Sequence, residues 1–231
     1  MTSLSVGLPA YNEAENIGPM VDMVRDKIGP LVDDLEIIVV DDGSSDNTAG
    51  VVRAMATEDP RVRLIQHDGN HGYGAAVRTA LWSASKELVF FTDSDRQFDI
   101  GELSHFLPRI AEADMVIGYR QARSDPWHRR LFGNGWSWLV NLLFGYTARD
   151  VDCAFKLIKR QVLEAVKVRS GGAMFSAEFL VRAKQAGFRI VEEPVSHYPR
   201  VAGSQTGARP DVILRAFREL IKMRWALWTG R

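Results

Sequence analysis

The 231-residue chain has one cysteine, Cys153, few glycines where phosphate loops would need them, and no apolar run long enough to span a bilayer. A single cysteine excludes an internal disulfide and any thiolate zinc cage. Beside Ala154 and Phe155 it reads as core filling and not as a nucleophile. The longest strongly apolar stretch, Trp136 to Phe144, falls well short of the ~20 residues of a spanning helix, and Asn141 interrupts it. No charged leader with an apolar core and cleavage site precedes the first strand, so no signal peptide is expected. The phosphate-binding loop Gly-x-x-x-x-Gly-Lys is missing. The first strand-to-helix turn, where a dinucleotide fingerprint belongs, is Pro9-Ala10-Tyr11-Asn12-Glu13. Gly72-Tyr73-Gly74-Ala75 is glycine-rich but follows the third strand, where close helix packing is the simpler use.

Net charge is absent as well, with 29 Lys and Arg against 29 Asp and Glu. The balance hides a division. Residues 1–119 carry 9 basic and 20 acidic residues, and residues 120–231 carry 20 and 9. Such asymmetry points to an anionic partner for the second half, a phosphate, a membrane surface or a nucleic acid, or to attraction between the halves.

What is present in abundance is acid at the ends of apolar runs. Glu36-Ile-Ile-Val-Val40 leads into Asp41-Asp42-Gly43-Ser44-Ser45-Asp46, and Leu88-Val-Phe-Phe91 leads into Thr92-Asp93-Ser94-Asp95. Short β-branched and aromatic runs bounded by Gly, Ser and Asp are buried strands. In an open α/β sheet their carboxyl ends form the ligand crevice. Carboxylates gathered there repel one another unless a cation or hydrogen-bonding ligand joins them, and Asp-x-Asp suits a hard divalent ion such as Mg²⁺ or Mn²⁺. Asp46, with Thr48 nearby, reads equally as a helix cap.

The first 119 residues alternate strand and helix. Strands are expected over 4–8, 36–40, 62–66, 88–91 and 114–117, with helices over about 14–28, 46–57 and 72–85. This spacing predicts βαβ crossovers, hence a Rossmann-like, mostly parallel sheet with flanking helices. Further helices are expected over 128–144, 175–186 and 212–228, and one more strand over 188–195.

Four ordered segments, Leu8-Pro-Ala-Tyr-Asn-Glu13, Val39-Val-Asp-Asp-Gly-Ser-Ser-Asp-Asn-Thr48, Asn70-x-Gly-x-Gly74 and Thr92-Asp-Ser-Asp-Arg-Gln97, resemble the family 2 GT-A glycosyltransferases. Val116-Ile-Gly-Tyr-Arg120, Asp150-Val-Asp-Cys-Ala-Phe-Lys156, Glu178-x-x-x-Arg182 and Glu193-Pro-Val195 through Arg200 to Gly203-Ser204 resemble its dolichyl- and polyprenyl-phosphate branch. The resemblance implies an α/β GT-A domain over 1–207, with a nucleotide-sugar half to 119 and an acceptor half beyond, followed by a C-terminal amphipathic helix over 208–231. It implies a nucleoside diphosphate sugar donor (a GDP-mannose or a UDP-sugar), a polyprenyl phosphate acceptor and a divalent cofactor, Mg²⁺ or Mn²⁺, with no nucleic-acid partner. The alternatives are a soluble hydroxyl acceptor, for which Asp150, Asp152 or Glu178 would be the base, and a non-catalytic nucleotide-sugar-binding protein.

By that resemblance Pro9, Tyr11, Glu13, Val40 and Asp42 line the nucleoside, and Asp93, Ser94 and Asp95 meet the diphosphate. Asp93, Asp95 and Gln97 are the metal ligands, and Arg120 and Arg200, with Asp95, serve catalysis by holding phosphate charge. Arg129, Arg130 and Asp152 are the expected acceptor contacts. Gly203-Ser-Gln-Thr206 lacks the lysine that family members often carry there. Family members frequently extend into transmembrane helices, and none is visible up to Arg231. The expected place is therefore cytoplasmic, peripheral on the inner membrane face, since Leu214, Phe217, Ile221, Trp225 and Trp228 share one helical face.

Overall fold

The computed structural model describes residues 2–123, 127–200 and 210–229, with the side chains of 122–132, 210–215 and 226–229 outside the description. Among the described residues, seven strands form one sheet: β1 (Ser3–Ala10), β2 (Asp34–Asp41), β3 (Val62–Gln66), β4 (Leu88–Thr92), β5 (Met115–Arg123), β6 (Phe155–Lys159) and β7 (Ile190–His197), in the order β3-β2-β1-β4-β6-β5-β7. Strands β3, β2, β1 and β4 run parallel, and β7 runs parallel to β5. Strand β6 alone is reversed, antiparallel to both β4 and β5.

The inner strands are nearly unbroken apolar runs because helices cover both faces, as a parallel sheet requires. Leu4, Val6 and Leu8 of β1, Ile37 to Val40 of β2 and Phe90 of β4 are all fully enclosed. Helices α1 (Ala14–Met23), α2 (Thr48–Glu58), α3 (Tyr73–Trp82) and α4 (Leu103–Arg109) connect the parallel strands. Helix α5 (Trp127–Phe144) precedes β6, α6 (Arg160–Ala165) and α7 (Phe175–Gln185) lie between β6 and β7, and α8 (Pro210–Thr229) ends the chain, packed on α5.

Three expectations need correction. Helix α1 stops at Met23, and a π turn over Val24–Ile28 replaces its expected last stretch. Helices α4 and α6 are additional, since both are too short for a helical period to stand out. The central strand β6 is additional too, its signal broken by Lys156. Strand β5 runs through the charge change near 120 and pairs within the same sheet.

One buried carboxylate fastens the amino-terminal edge of this sheet. Glu36 of β2 accepts from Ser5 Oγ of β1 (2.6 Å), from Ser85 N (2.8 Å) and Ser85 Oγ (3.0 Å) ahead of β4, and from Arg63 of β3. Burial alone would raise its pKa, yet these donors outweigh burial and hold it below the ordinary value. Stabilisation of this sign is complete above the unfolded-state pKa and fades as pH falls through the folded-state value. Glu36→Gln should therefore cost about 2 kcal/mol at pH 7, a drop of about 5 °C in Tm. Calorimetry should show that gap closing below about pH 4. An equal gap at pH 3 and pH 7 would assign the loss to packing instead of charge.

Candidate active site

The parallel register brings the ends of β1, β2 and β4 to one edge, with Ala10 opposite Asp41 and Gly7 opposite Phe91. The loops that leave these ends lock to one another. Asn12, in the left-handed region at φ 55°, accepts from Ser45 N (2.8 Å), and its own N–H donates to Ser44 Oγ (2.9 Å). Asp46 accepts from Ala14 N and Thr48 N, each at 3.0 Å, and so serves the first turns of α1 and α2. Gly43 sits at φ +70°, where a Cβ would lie 2.4 Å from the Gly69 backbone, so only glycine permits the β2 turn to approach that loop.

The first acidic cluster is occupied by its own neighbours. Asp42 Oδ1 meets His67 Nδ1 (2.7 Å) and accepts from His71 N (3.0 Å), and Oδ2 accepts from Gly72 N (2.8 Å). Asp41 accepts from Ser44 N (3.0 Å) and Gln66 Nε2 (3.1 Å). Asp42 thereby ties the β2 turn to the approach of α3, and Asp41 braces that turn against the end of β3. Pro9 and Val40 are buried in the sheet, whereas Tyr11 is 40 % exposed at its edge.

The second cluster is different in kind. Asp93 accepts from Tyr73 Oη at 2.9 Å, and Asp95 accepts from Gln97 N at 3.1 Å. Burial, followed by the charge of Asp95, pushes the Asp93 pKa up to about 7, and burial raises that of Asp95 as well. Two carboxylates are thus held where they lack full compensation. Ser94 between them donates to Pro9 O at 2.7 Å, pinning the end of β4 to that of β1.

The segment after β7 closes the other side. Tyr198 N donates to Gln97 O (2.7 Å) and Gln97 Nε2 donates to Tyr198 O (2.9 Å), which carries Arg200 to the pair. Arg200 Nη1 lies 3.5 Å from Asp95 Oδ2, and its Nη2 donates to Glu13 Oε1. Arg120 is committed as a fork to Asp150, with Nε–Oδ2 at 2.6 Å and Nη2–Oδ1 at 2.7 Å, a pairing that raises the arginine's pKa against the opposing effect of burial. Asp152 is exposed nearby. The side chains of Arg129 and Arg130 lie outside the described residues, as do Gly203 to Thr206.

Two further residues belong to the site. Tyr73, in the glycine-rich segment read as helix packing, supplies the hydroxyl on Asp93. Its neighbour Gly74 does serve packing, since a Cβ there would lie 2.5–2.8 Å from the Gly171 and Gly172 backbone. Lys156 is buried on β6 opposite Phe91, donates to Cys153 O, and is the first cation whose field lowers the Asp93 pKa. Burial depresses its own pKa. A lysine inside an apolar strand was the available signal for this role. Cys153 itself is enclosed, its thiol pushed up to about 12 by burial, which keeps it protonated.

Away from the strand ends, α5 and α8 present apolar surface to solvent. Trp138, Leu142, Ile221 and Trp225 are 65 %, 63 %, 66 % and 55 % exposed, and Phe217 packs edge-on to Trp136. Helix α8 carries two apolar stripes. Ala216, Leu220 and Met223 face the core, while Phe217, Ile221 and Trp225 face outward beside exposed Arg224. Among the described residues no helix is long and apolar enough to cross a membrane.

Comparison with known proteins agrees with this geometry. The model of the family described as glycosyl transferase family 2 matches residues 5–167. Glycosyltransferase AglD of Haloferax volcanii is 32 % identical over 207 residues, covering 85 % of this chain and 33 % of that protein. Polyprenol monophosphomannose synthase of Mycolicibacterium smegmatis is 31 % identical over 209 residues, covering 85 % and 77 %. A mannosyltransferase from Pyrobaculum calidifontis, solved with GDP-Man and Mn²⁺, shares the fold with a TM-score of 0.67 at 22 % identity, covering 95 % of this chain and 64 % of that one. The chain thus spans a third of the Haloferax protein's length and just under two thirds of the Pyrobaculum chain.

The crowding of Asp93 and Asp95 has a measurable cost. A carboxyl whose folded-state pKa is raised to about 7 makes stability fall as pH rises from its unfolded value of 3.8, levelling off above 7. Asp93→Asn should raise Tm by about 3 °C at pH 8 in metal-free buffer, because screening leaves about 1 kcal/mol of the penalty. Thermal melts should show the gain vanishing toward pH 4. A variant less stable than wild type at pH 8 would contradict the charge assignment.

Proposed function

Glycosyl transferase family 2 is the family to which this chain belongs, and on that premise we propose that it transfers a sugar from a nucleoside diphosphate to a polyprenyl phosphate, with inversion at the anomeric carbon. The observation that carries this is the pair Asp93 and Asp95, raised in pKa at the end of β4 with hard oxygen donors facing the crevice. Those donors fit a divalent cation. Mg²⁺ and Mn²⁺ take oxygen ligands, and such an ion would fill its remaining positions with substrate phosphate and water. Asp93, Asp95 and the amide oxygen of Gln97 are the assigned ligands. A divalent ion held by these residues would neutralise charge growing on the departing diphosphate.

The chain's own residues do the rest. Tyr11 and Pro9 border the nucleoside beside Glu13, with Val40 behind them and Asp42 fastening the neighbouring loop. Arg120 and Arg200 bring fork-shaped cations to the diphosphate, stabilising the leaving group as it forms. The acceptor phosphate, with a second pKa of ~6, is already a dianion at neutral pH and needs positioning, not a general base. Arg129, Arg130 and Asp152 are assigned to that positioning. The donor is a GDP-mannose or a UDP-sugar, and the polyprenol relative and the Mn²⁺-bearing mannosyltransferase support lipid acceptor and metal.

A lipid-borne acceptor also gives the outward stripe of α8 a use. Phe217, Ile221 and Trp225 with neighbouring Trp138 and Leu142 would enter the headgroup boundary of a cytoplasmic membrane face, with Arg218, Lys222 and Arg224 meeting anionic lipid.

Assayed with a panel of GDP- and UDP-sugars and polyprenyl phosphate, the wild type should label lipid in a Mn²⁺- or Mg²⁺-dependent way. Asp95→Asn should lose at least about a hundredfold in rate, a typical cost of removing transition-state charge stabilisation. Sugar transfer to soluble alcohols alone would overturn the acceptor assignment. In flotation with anionic liposomes, the double change Ile221→Glu and Trp225→Glu should leave the protein at the bottom of the gradient while its Tm holds. Unchanged flotation of that variant would remove α8 from the membrane contact.

A further inference from the structure

We infer that Arg200 occupies, in the metal-free protein, the charge position at Asp95 that a divalent cation takes in the loaded one, and that arrival of the cation hands the guanidinium to the donor's diphosphate. This rests on the assignment of Asp95 as a metal-facing carboxylate.

The arrangement around Arg200 is built from both sides. Its Nη1 lies 3.5 Å from Asp95 Oδ2, Nη2 is bonded to Glu13 Oε1, and the three side chains are only 15 %, 12 % and 11 % exposed. Glu13 is itself fixed. Its Oε2 accepts from Asn16 Nδ2 (2.6 Å), and Asn16 Oδ1 accepts from Arg96 Nη2 (3.0 Å). Arg96 stands between Asp95 and Gln97 with φ 60°, a left-handed backbone that a side chain rarely adopts, so the turn that presents Asp95 is held by the same chain of bonds. The Gln97–Tyr198 ladder fixes the approach of Arg200 from the β7 side.

An arginine cannot shed its charge to make room for another cation. A divalent ion on Asp95 therefore meets a guanidinium within a few ångströms, and occupancy by one is repulsive to the other. Glu13 offers Arg200 a carboxylate to fall back on, which makes Glu13 the positioning residue for this arginine. A diphosphate offers more, because two of its oxygens can meet the guanidinium fork at once. Metal alone must displace Arg200 with nothing returned, whereas metal with nucleotide displaces it toward a better partner. The two ligands are then positively coupled, and by linkage each tightens the other equally.

This has a consequence opposite in sign to that of an ordinary phosphate contact. Titrating Mn²⁺ by electron paramagnetic resonance, without nucleotide, Arg200→Gln should bind the ion about tenfold more tightly than wild type, since its competitor is gone. The factor by which GDP or UDP strengthens Mn²⁺ binding should fall by about the same tenfold. Arg200→Lys, which keeps a point charge but no fork, should bind Mn²⁺ alone within about twofold of wild type yet still lose much of the coupling. Circular dichroism checks that each variant is folded, and either variant suffices. Wild-type protein that binds Mn²⁺ with nucleotide, joined to an Arg200→Gln variant with unchanged or weaker binding of Mn²⁺ alone, overturns the exchange while leaving the metal assignment standing. With Arg200→Lys alone, full wild-type coupling overturns it. Wild-type protein with no Mn²⁺-dependent nucleotide binding overturns both.

Discussion

Everything at the carboxyl edge of the sheet answers one electrostatic constraint: two aspartates, Asp93 and Asp95, are held one residue apart at the end of a buried strand. Neither can move away, because Ser94 is bonded to Pro9 O and Asp95 receives the Gln97 N–H. Burial raises both pKa values, helped at Asp93 by the charge of Asp95 and at Asp95 by that of Glu13. Lys156 from below, Arg120 from β5 and Arg200 from beyond β7 supply partial compensation. Each comes from a different element, so the sheet order β4-β6-β5-β7 is also the order in which positive charge is brought to the site.

The basic and acidic halves of the chain find their meaning here. The first half supplies carboxylates from β1, β2 and β4, and the second supplies cations through the reversed strand β6 and its neighbours. The antiparallel turn of β6 is what places Lys156 beside Phe91 and the Asp150–Cys153 turn beside Asp93. In the proposed reaction Arg120 and Arg200 need only be redirected from protein carboxylate to substrate phosphate, a preorganisation that lowers the cost of charge movement during transfer.

Much of this was legible in the sequence because short apolar runs and their acidic ends are local signals. Strands β1 to β4 and helices α2, α3, α5 and α7 stand within a few residues of their expected places. The parallel half of the sheet follows from their alternation. What the sequence concealed is whatever depends on non-local pairing. Strand β6 is five residues long and split by Lys156, so neither its existence nor its direction shows in a periodicity. The role of Tyr73 depends on the approach of α3 to β4, which a glycine-rich tripeptide does not announce. In α8 the described members of the helically spaced apolar set, Phe217, Ile221 and Trp225, face outward, while the inward stripe Ala216, Leu220 and Met223 uses residues that carry less pattern. The partners of Asp42 and Asp150 are likewise contributed from residues 25 to 30 positions away.

The central claim is that burial and crowding at the end of β4 make the Asp93–Asp95 pair hold a proton near neutrality, one that a divalent cation would expel. Calorimetric titration of Mn²⁺ in two buffers of different ionisation enthalpy tests this directly, since proton release appears as the difference in heat. With an Asp93 pKa of about 7, binding at pH 6.5 should release about three quarters of a proton, and binding at pH 8.5 almost none. Mn²⁺ binding that releases no proton at pH 6.5 would contradict the shared-charge description of the site.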